Sequence, residues 1–596
     1  MVAEQAEVGT WRVTPVVGLP SRSAAELRTD FLLASTLFAA AFLLYAIPAI
    51  LGRPLYEPSE CGIGAVAREM IVNKNYVVPK LGNEIRLSKA PLPYWLVTAT
   101  AAIIGGDATS DTVMARAVEI PAAFMGAATV FLVVMFGCAV FGRVAGVSAG
   151  LILGVTGMVT EFSRVGYTDA TLMFFCTGMF CSAAWIVCTP RPGAFAALGL
   201  GLSLGLGYLS KWYLPLVLLA APVLAEILIR RRFNPRKVVL MAVGLVVAAT
   251  VAAPWLILVK QQVPSAWQDI YGTIATSIKP ERYNQNGSWL YYIYKLAAGL
   301  LPWTPLLLAV WPRYLLKRRK EDLGDAPGPL LMGRESLRFF MLAAGLGLIG
   351  FYFWPQQQDF YLLPLFPPFA LASGYVFSRL RVPGGEAEED VAFYLIGLGI
   401  VGGIAILTLP FTAPLLKGSS FNGAQQALAL FGPLLLGAVG VGFILVHFFC
   451  ARQWVEGKQI KATLVLATLA YAALMIWGVM WSAKKRDSVA LYVAAPRLKA
   501  ELKTESKVYS GASSEFSNAE LVYYLQRPIY TLEQLANEPV GITGDEAPQR
   551  WLLGSRESIK KLNLKQDPPS DSIAVQKLSK IEDWPKWAQD QLKEKK

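Results

Sequence analysis

The sequence predicts an α-helical polytopic membrane protein with a small α/β domain at its C-terminal end. Of 596 residues, 54% are hydrophobic and only 16% are charged, whereas a soluble domain carries roughly 25% charged residues. The apolar residues also fall in runs of about 20, the length that crosses a hydrocarbon core of roughly 30 Å. Beyond residue 482, charge rises and the apolar runs shorten. We therefore expect about 13 transmembrane helices within 31–482, followed by a separate domain at 483–596.

The helices are assigned from the apolar runs in chain order. The predicted spans are 31–52, 117–140, 144–160, 168–188, 194–209, 212–229, 238–259, 289–311, 338–354, 360–378, 391–413, 427–450 and 461–482. The run 92–104 is too short to cross a bilayer, so we expect it to be an interfacial or re-entrant segment. Two long polar loops, 53–91 and 260–288, then lie on the same side of the membrane.

The net charge of +13 follows membrane topology and does not indicate nucleic-acid binding. Its basic clusters, at 230–237, 317–320 and 379–381, each occupy a short gap between apolar runs. Positive charge in short loops marks the cytoplasmic side. The segment 1–30 is therefore expected in the cytoplasm, the protein in the cytoplasmic (inner) membrane, and the domain 483–596 outside the cytoplasm. Alternating stretches at 507–510 and 520–525 indicate that this domain mixes helix and strand.

Polar groups at membrane depth are expensive and therefore mark candidate functional positions. By this topology they gather at the outer face: residues 56–60 with Arg68, Arg164 with Asp169, Ser210-Lys211-Trp212, 356–361, and the separate cations Lys89, Arg116 and Arg282. Cations bind a phosphate leaving group, and arginine does so with bidentate geometry. A carboxylate can take the proton of an attacking hydroxyl or amine. The alternative is that each residue merely caps a helix or lies in a solvated loop.

Several short motifs follow one another in order between about 40 and 380. They are Glu57-Pro58-Ser59-Glu60, Ala67-Arg68-Glu69-Met70, Val78-Pro79, Lys89-Ala90-Pro91-Leu92-Pro93-Tyr94-Trp95, Arg-X-X-X-Thr-Asp at 164–169, Ser210-Lys211-Trp212, Leu301-Pro302-Trp303, and Tyr-Leu-Leu-Pro-Leu-Phe-Pro at 361–367. As an ordered set they resemble the bacterial lipid-linked-sugar glycosyltransferases of the GT-C superfamily. That superfamily includes the aminoarabinose transferase of lipid A and the protein O-mannosyltransferases.

The resemblance implies an inverting transferase that moves a monosaccharide from a polyprenyl-phosphate donor to a lipid, glycan or protein acceptor. The expected catalytic carboxylates are Glu60, Asp169 and Glu57. The expected ligands of the donor phosphate are Lys211, Arg68, Lys89, Arg116 and Arg164. The expected substrate-positioning residues are Tyr56, Gln357, Tyr361 and Arg282. No cofactor is assigned, and a divalent metal stays open, although one histidine, His447, does not favour a zinc site built on imidazole.

Three departures from the family pattern accompany these motifs. The family's adjacent Asp-Glu is Ser59-Glu60 here, or else the spaced pair Glu57/Glu60. A basic residue before the Tyr-X-X-Pro signature is Gln357, and the histidine common before the eighth helix is missing at 284–287. Two other functions therefore stay open at this point. One is a transporter or flippase of lipid-linked sugars, although such proteins usually carry their polar sites near the midplane in repeated halves. The other is a catalytically inactive binding relative.

Overall fold

The computed structural model describes most of the membrane region and parts of the C-terminal domain. The described residues are 23–82, 84–107, 110–190, 192–230, 234–278, 291–301, 303–304, 307, 329–353, 358–379, 386–412, 422–456, 458–488, 499, 507–510, 518–526, 529–531, 550–555 and 573–577. Within them, nine helices are long and apolar enough to cross a membrane, or ten if one bent pair counts as a single span. The protein is thus a multi-pass membrane protein, whereas the described residues do not reach the predicted count of 13.

The helices follow the order of the predicted apolar runs. In chain order they are α1 (Ala24–Tyr45), α2 (Ile47–Leu51), α3 (Pro58–Asn73), α4 (Leu92–Ile104), α5 (Asp111–Phe141), α6 (Arg143–Gly154), α7 (Gly157–Arg164), α8 (Asp169–Cys188), α9 (Ala194–Lys211), α10 (Leu214–Arg230), α11 (Pro235–Gln262), α12 (Ala266–Ile278), α13 (Tyr291–Gly299), α14 (Pro329–Tyr352), a 3-10 helix (Asp359–Leu365), α15 (Phe366–Arg379), α16 (Glu386–Thr412), α17 (Asn422–Val455), α18 (Gln459–Ser488) and α19 (Asn518–Leu525). Helix α4 has the bounds predicted for the short segment. At 1.5 Å per residue it is about 20 Å long, too short to cross.

The span predicted at 144–160 is broken into α6 and α7, whose axes differ by 58°. At the break, Thr156 is extended, with φ −69° and ψ 128°. The backbone N–H of Gly157 donates to the carbonyl of Leu301 at 2.8 Å instead of continuing the helix. An inter-segment hydrogen bond thus replaces a helical one, and the bend directs the 165–168 turn toward the loop that precedes α3.

The long loop 53–91 is folded rather than extended. It contains α3 and a two-stranded antiparallel hairpin of β1 (Lys80–Leu81) and β2 (Glu84–Ile85). Buried faces of α3, α4, the first turns of α5 and α19 share one apolar cluster. The loop is therefore a packed layer between the membrane helices and the C-terminal domain.

The described residues beyond 500 contain a four-stranded sheet of β3 (Lys507–Ser510), β4 (Ile529–Thr531), β5 (Arg550–Ser555) and β6 (Ile573–Lys577). Its strand order is β4-β3-β5-β6, with β3 parallel to β4 and β5, and β5 antiparallel to β6. Of the two stretches that indicated a mixed domain, one is strand β3 and the other lies in α19.

Candidate active site

Glu60 lies in a fully buried ion-pair network at the start of α3. Arg53 donates to Glu60 Oε1 at 2.5 Å and Oε2 at 3.3 Å, and through Nε to Glu119 Oε1 at 2.7 Å. Glu60 Oε1 also accepts the backbone N–H of Gly166 at 2.8 Å. Arg53 and Glu60 side chains are 0% exposed. Both oxygens of Glu60 are therefore occupied by structural partners, and its carboxylate is not accessible to a substrate.

Glu57, one turn earlier, is partly buried and faces a different environment. It is the N-cap of α3, and its backbone N–H approaches Glu60 Oε2 at 3.4 Å. Its own Oε2 accepts the hydroxyl of Tyr167 at 3.3 Å. Burial and the nearby carboxylates raise the pKa of Tyr167, so its hydroxyl remains a neutral donor. Tyr56, beside Glu57, is likewise partly buried, and its ring lies 5.0 Å from the guanidinium of Arg53.

Lys211 and Asp169 form the next pair, at the end of α9 and the start of α8. Lys211 Nζ donates to Asp169 Oδ1 at 2.5 Å. The same ammonium lies 4.1 Å from the ring centroid of Phe360 and 5.0 Å from that of Tyr361. Aromatic faces attract a cation while leaving its outward side free. The two motifs around Asp169 and Lys211, together with Tyr361, therefore meet as the sequence predicts.

Lys89 is placed against Ser59, with Nζ 3.5 Å from Ser59 Oγ. The pKa of Lys89 is lowered to about 7, chiefly because the surrounding protein encloses its ammonium group. The positive charges of Arg86 and Lys211 lower this pKa further, whereas the negative charge of Asp169 raises it. Arg86 Nη1 is itself buried and has no hydrogen-bond partner within the described part of the chain. Arg86 and Lys211 thus add positive charge near Lys89, and Asp169 pairs with Lys211. This local excess of positive charge favours an anion.

A further polar cluster borders the rings that contact Lys211. Asp359 Oδ2 accepts Lys295 Nζ at 2.6 Å, and its Oδ1 accepts the hydroxyl of Tyr291. Lys295 and Asp359 side chains are each about 30% exposed, at 28% and 31%. This cluster extends the polar surface from the 3-10 helix toward α13.

Three predicted phosphate ligands have other surroundings. Arg68 donates to Asp111 Oδ1 and to the carbonyl of Tyr523, each at 2.7 Å, and so joins α3 to α5 and the C-terminal domain. Arg164 points into the helix bundle, where it donates to the carbonyls of Leu44 at 3.1 Å and Leu474 at 2.6 Å. Arg116 is exposed on α5. Their geometry does not favour a phosphate-binding role.

Gln357 and Arg282 lie outside the described residues. Among the described residues, no group of three or more His, Cys, Asp or Glu side chains converges as a metal site would require. The sequence analysis missed Arg53, Glu119, Arg86 and Lys295. Glu119 lies within the predicted span 117–140, and Arg53 is the first residue of the loop 53–91, where only its buried partners distinguish it from a solvated cation. Arg86, by contrast, precedes Lys89 by three residues in the same loop and was visible as a neighbouring cation.

Known proteins are similar to this chain in the membrane region that carries the motifs. The family model described as dolichyl-phosphate-mannose-protein mannosyltransferase matches residues 88–258, the stretch that carries Lys89, Asp169 and Lys211. Together with the relatives and the fold match below, this confirms the resemblance seen in the motifs: the chain is a membrane glycosyltransferase similar to those of the GT-C type.

Among curated relatives, the undecaprenyl phosphate-alpha-4-amino-4-deoxy-L-arabinose arabinosyl transferase of Erwinia tasmaniensis is 25% identical over 436 residues, covering 72% of this chain and 73% of the relative. The enzyme of the same description from Edwardsiella ictaluri is 24% identical over 502 residues, covering 81% and 84%. Among solved structures, ArnT from Cupriavidus metallidurans bound to undecaprenyl phosphate aligns with a TM-score of 0.70 over 93% of this chain and 98% of that chain. At 17% identity, this likeness establishes the shared fold.

Proposed function

We propose that this glycosyltransferase moves a monosaccharide from an undecaprenyl-phosphate donor to an acceptor of the cell envelope, at the outer face of the cytoplasmic membrane. The N-terminus then lies in the cytoplasm and the C-terminal domain outside it. The observation that carries the proposal is the ion pair of Lys211 with Asp169, together with the positive charge that Arg86 and Lys211 add near Lys89. Such a site binds the phosphate of the donor and then the phosphate that leaves.

The proposed reaction is a single inverting displacement. An acceptor oxygen or nitrogen forms a bond to the anomeric carbon while the bond from that carbon to the phosphate oxygen breaks. The acceptor proton goes to Glu57, whose carboxylate is partly buried, and the electron pair leaves with the lipid phosphate, whose charge Lys89 and Lys211 stabilise. Positioning and charge stabilisation supply much of the rate because a phosphate is already a good leaving group.

Glu60 supports this reaction without touching substrate. It binds the backbone N–H of Gly166, next to Tyr167, and approaches the backbone of Glu57. It thus joins the two segments whose side chains meet in the bond from Tyr167 to Glu57. We therefore assign Glu57 as the general base and Glu60 as a positioning residue, with Asp169 orienting Lys211.

The relatives and the family model support two candidate donor sugars. Both relatives described above are arabinosyl transferases whose donor carries 4-amino-4-deoxy-L-arabinose, which supports an amino-pentose donor. The family model that matches residues 88–258 describes mannose transfer to protein. A mannosyl donor with a protein acceptor is therefore the second candidate.

The test is transfer of radiolabel from polyprenyl-phosphate amino-pentose or mannose in membranes with and without the protein, with mass spectrometry of lipid, glycan and protein fractions. We expect label to enter one fraction only when the protein is present. Lys89→Ala and Lys211→Ala should abolish transfer, whereas Lys74→Asn should not. Lys74 is an exposed cation of the same outer loop in a left-handed helix cap, a conformation that asparagine tolerates. A folded protein that transfers neither label to any fraction would contradict the proposal.

A further inference from the structure

Trp212 has an unusual backbone conformation directly after Lys211. Its φ is 51° and its ψ is −135°, immediately beyond the end of α9. Lys74, another described residue with positive φ, has a ψ of 29° and lies in the ordinary left-handed region. The conformation of Trp212 is one that glycine adopts freely and that strains a residue with a bulky side chain.

The indole of Trp212 makes contacts that a glycine cannot make. Its Nε1 donates to the carbonyl of Ser88 at 3.3 Å, and the residue is only 6% exposed. Its ring packs 5.6 Å from that of Trp255, whose Nε1 donates to the carbonyl of Val77 at 2.9 Å. The two indoles therefore hold the 77–88 segment, which contains the β1–β2 hairpin, against the ends of α9 and α11.

This contact lies between the two lysines of the site. Trp212 follows Lys211 in the chain, and Ser88 precedes Lys89. The hydrogen bond from the indole of Trp212 to the carbonyl of Ser88 thus connects the residue after Lys211 to the backbone before Lys89. The strain at Trp212 is retained at a functional site, which is where backbone strain is usually found.

We propose that Trp212 is a positioning residue that fixes the distance between Lys89 and Lys211 for the donor phosphate; the inference rests on the proposed function. When the indole bond is lost, the 86–91 segment separates from α9 and water reaches the amine of Lys89. Hydration removes the enclosure that lowers the pKa of Lys89, so that pKa rises. The affinity for the phosphate falls at the same time because the two cations no longer converge.

The test is Trp212→Phe, which keeps a buried ring and removes the N–H. The measurements are the binding of polyprenyl phosphate to the purified full chain between pH 6 and 9 and the melting temperature. Expected results are binding weakened about tenfold at pH 7 and a binding midpoint that moves above pH 7. Trp212→Gly should weaken binding at least as much, although it relieves the backbone. Trp212→Gly also provides the test if Trp212→Phe does not fold.

The matched control is Trp95→Phe. Trp95 Nε1 donates to the carbonyl of Tyr76 at 2.8 Å, an equivalent indole bond to the same outer loop away from Lys89. This control should leave the midpoint at about pH 7. The inference is overturned if Trp212→Phe binds like the wild type, or if Trp95→Phe shifts the midpoint equally. Failure of the wild type itself to bind polyprenyl phosphate would instead overturn the proposed function.

Discussion

The protonation of Lys89 should control how tightly the protein holds a polyprenyl phosphate. Lys89 contacts the hydroxyl of Ser59 at a position where the family pattern has an aspartate. Without that carboxylate, enclosure and neighbouring cations lower the pKa of Lys89 to about 7. The neutral amine, which predominates above pH 7, cannot pair with the phosphate. Affinity should therefore fall as the pH rises through 7, and Ser59→Asp should reverse this because a nearby carboxylate favours the ammonium form.

The magnitude follows from the fraction of protein in which Lys89 is protonated. If only that fraction binds, the apparent Kd is the intrinsic Kd divided by the fraction. With a pKa of about 7, the fraction is about one half at pH 7 and about 1% at pH 9. The apparent Kd should rise about 50-fold between them, roughly 2.3 kcal/mol. A new carboxylate that raises the pKa of Lys89 by about two units reduces that ratio to about twofold.

The assay is equilibrium binding of polyprenyl phosphate to the purified protein at constant ionic strength. A phosphate monoester has a second pKa of about 6, so the ligand stays a dianion from pH 7 to 9 and does not contribute to the trend. Ser59→Asn is the control because it matches aspartate in size and lacks its charge. Equal affinity of the wild type at pH 7 and 9, or identical profiles for Ser59→Asp and Ser59→Asn, would refute the reasoning.

Three other substitutions separate catalysis from stability. Glu57→Gln should lower the turnover number at least about 100-fold, as loss of a general base does, with an unchanged melting temperature; steady-state kinetics and a thermal melt check both. Glu60→Gln should instead destabilise the protein by roughly 3–5 kcal/mol because it leaves a buried guanidinium short of one carboxylate, and an unchanged melt would contradict that. Gly478→Ala should destabilise by about 1–3 kcal/mol through overpacking, since the new methyl group would lie 2.8 Å from Cζ of Arg164. Gly442→Ala is the control for the melting temperature, because the space around its position is open. Equal melting temperatures for the two variants would contradict the expected overpacking and would show that the side chain of Arg164 moves aside.

The helical framework was predictable because its signal is local. A run of 13 apolar residues is too short to cross a bilayer whatever its partners are, and α4 has the predicted bounds. The bend between α6 and α7 was not predictable in this way. It depends on a hydrogen bond from the N–H of Gly157 to the carbonyl of Leu301, which lies 144 positions later in the sequence. The apolar pattern of the sequence, in contrast, continues through the break.

The site was predictable as a set of motifs but not as a set of roles. Asp169 and Lys211 meet as expected because Asp169 begins α8 and Lys211 ends α9, the next helix, on the same side. Spacing did not separate Glu57 from Glu60, which lie three residues apart in one helical turn. Only the tertiary partners of Glu60 distinguish them. Arg164 was misleading for the same reason, since the carbonyls that it binds lie 120 and 310 residues away in sequence.

Helix α19 contacts the chain at the beginning of α3, beside the candidate site. The hydroxyl of Tyr524 donates to the carbonyl of Leu55, two residues before Glu57. Arg68 donates a hydrogen bond to the carbonyl of Tyr523. Helix α19 packs closely on α3, because a Cβ atom added to Gly64 would lie only 2.8 Å from the ring of Tyr523. Burial raises the pKa of Tyr524 far above its ordinary value, which keeps its hydroxyl a donor at any working pH. The beginning of α3, where the proposed base Glu57 lies, is thus fixed by the bonds of Glu60 to Arg53 and Gly166 and by the contacts of α19. We therefore expect α19 to help fix the position of the proposed base.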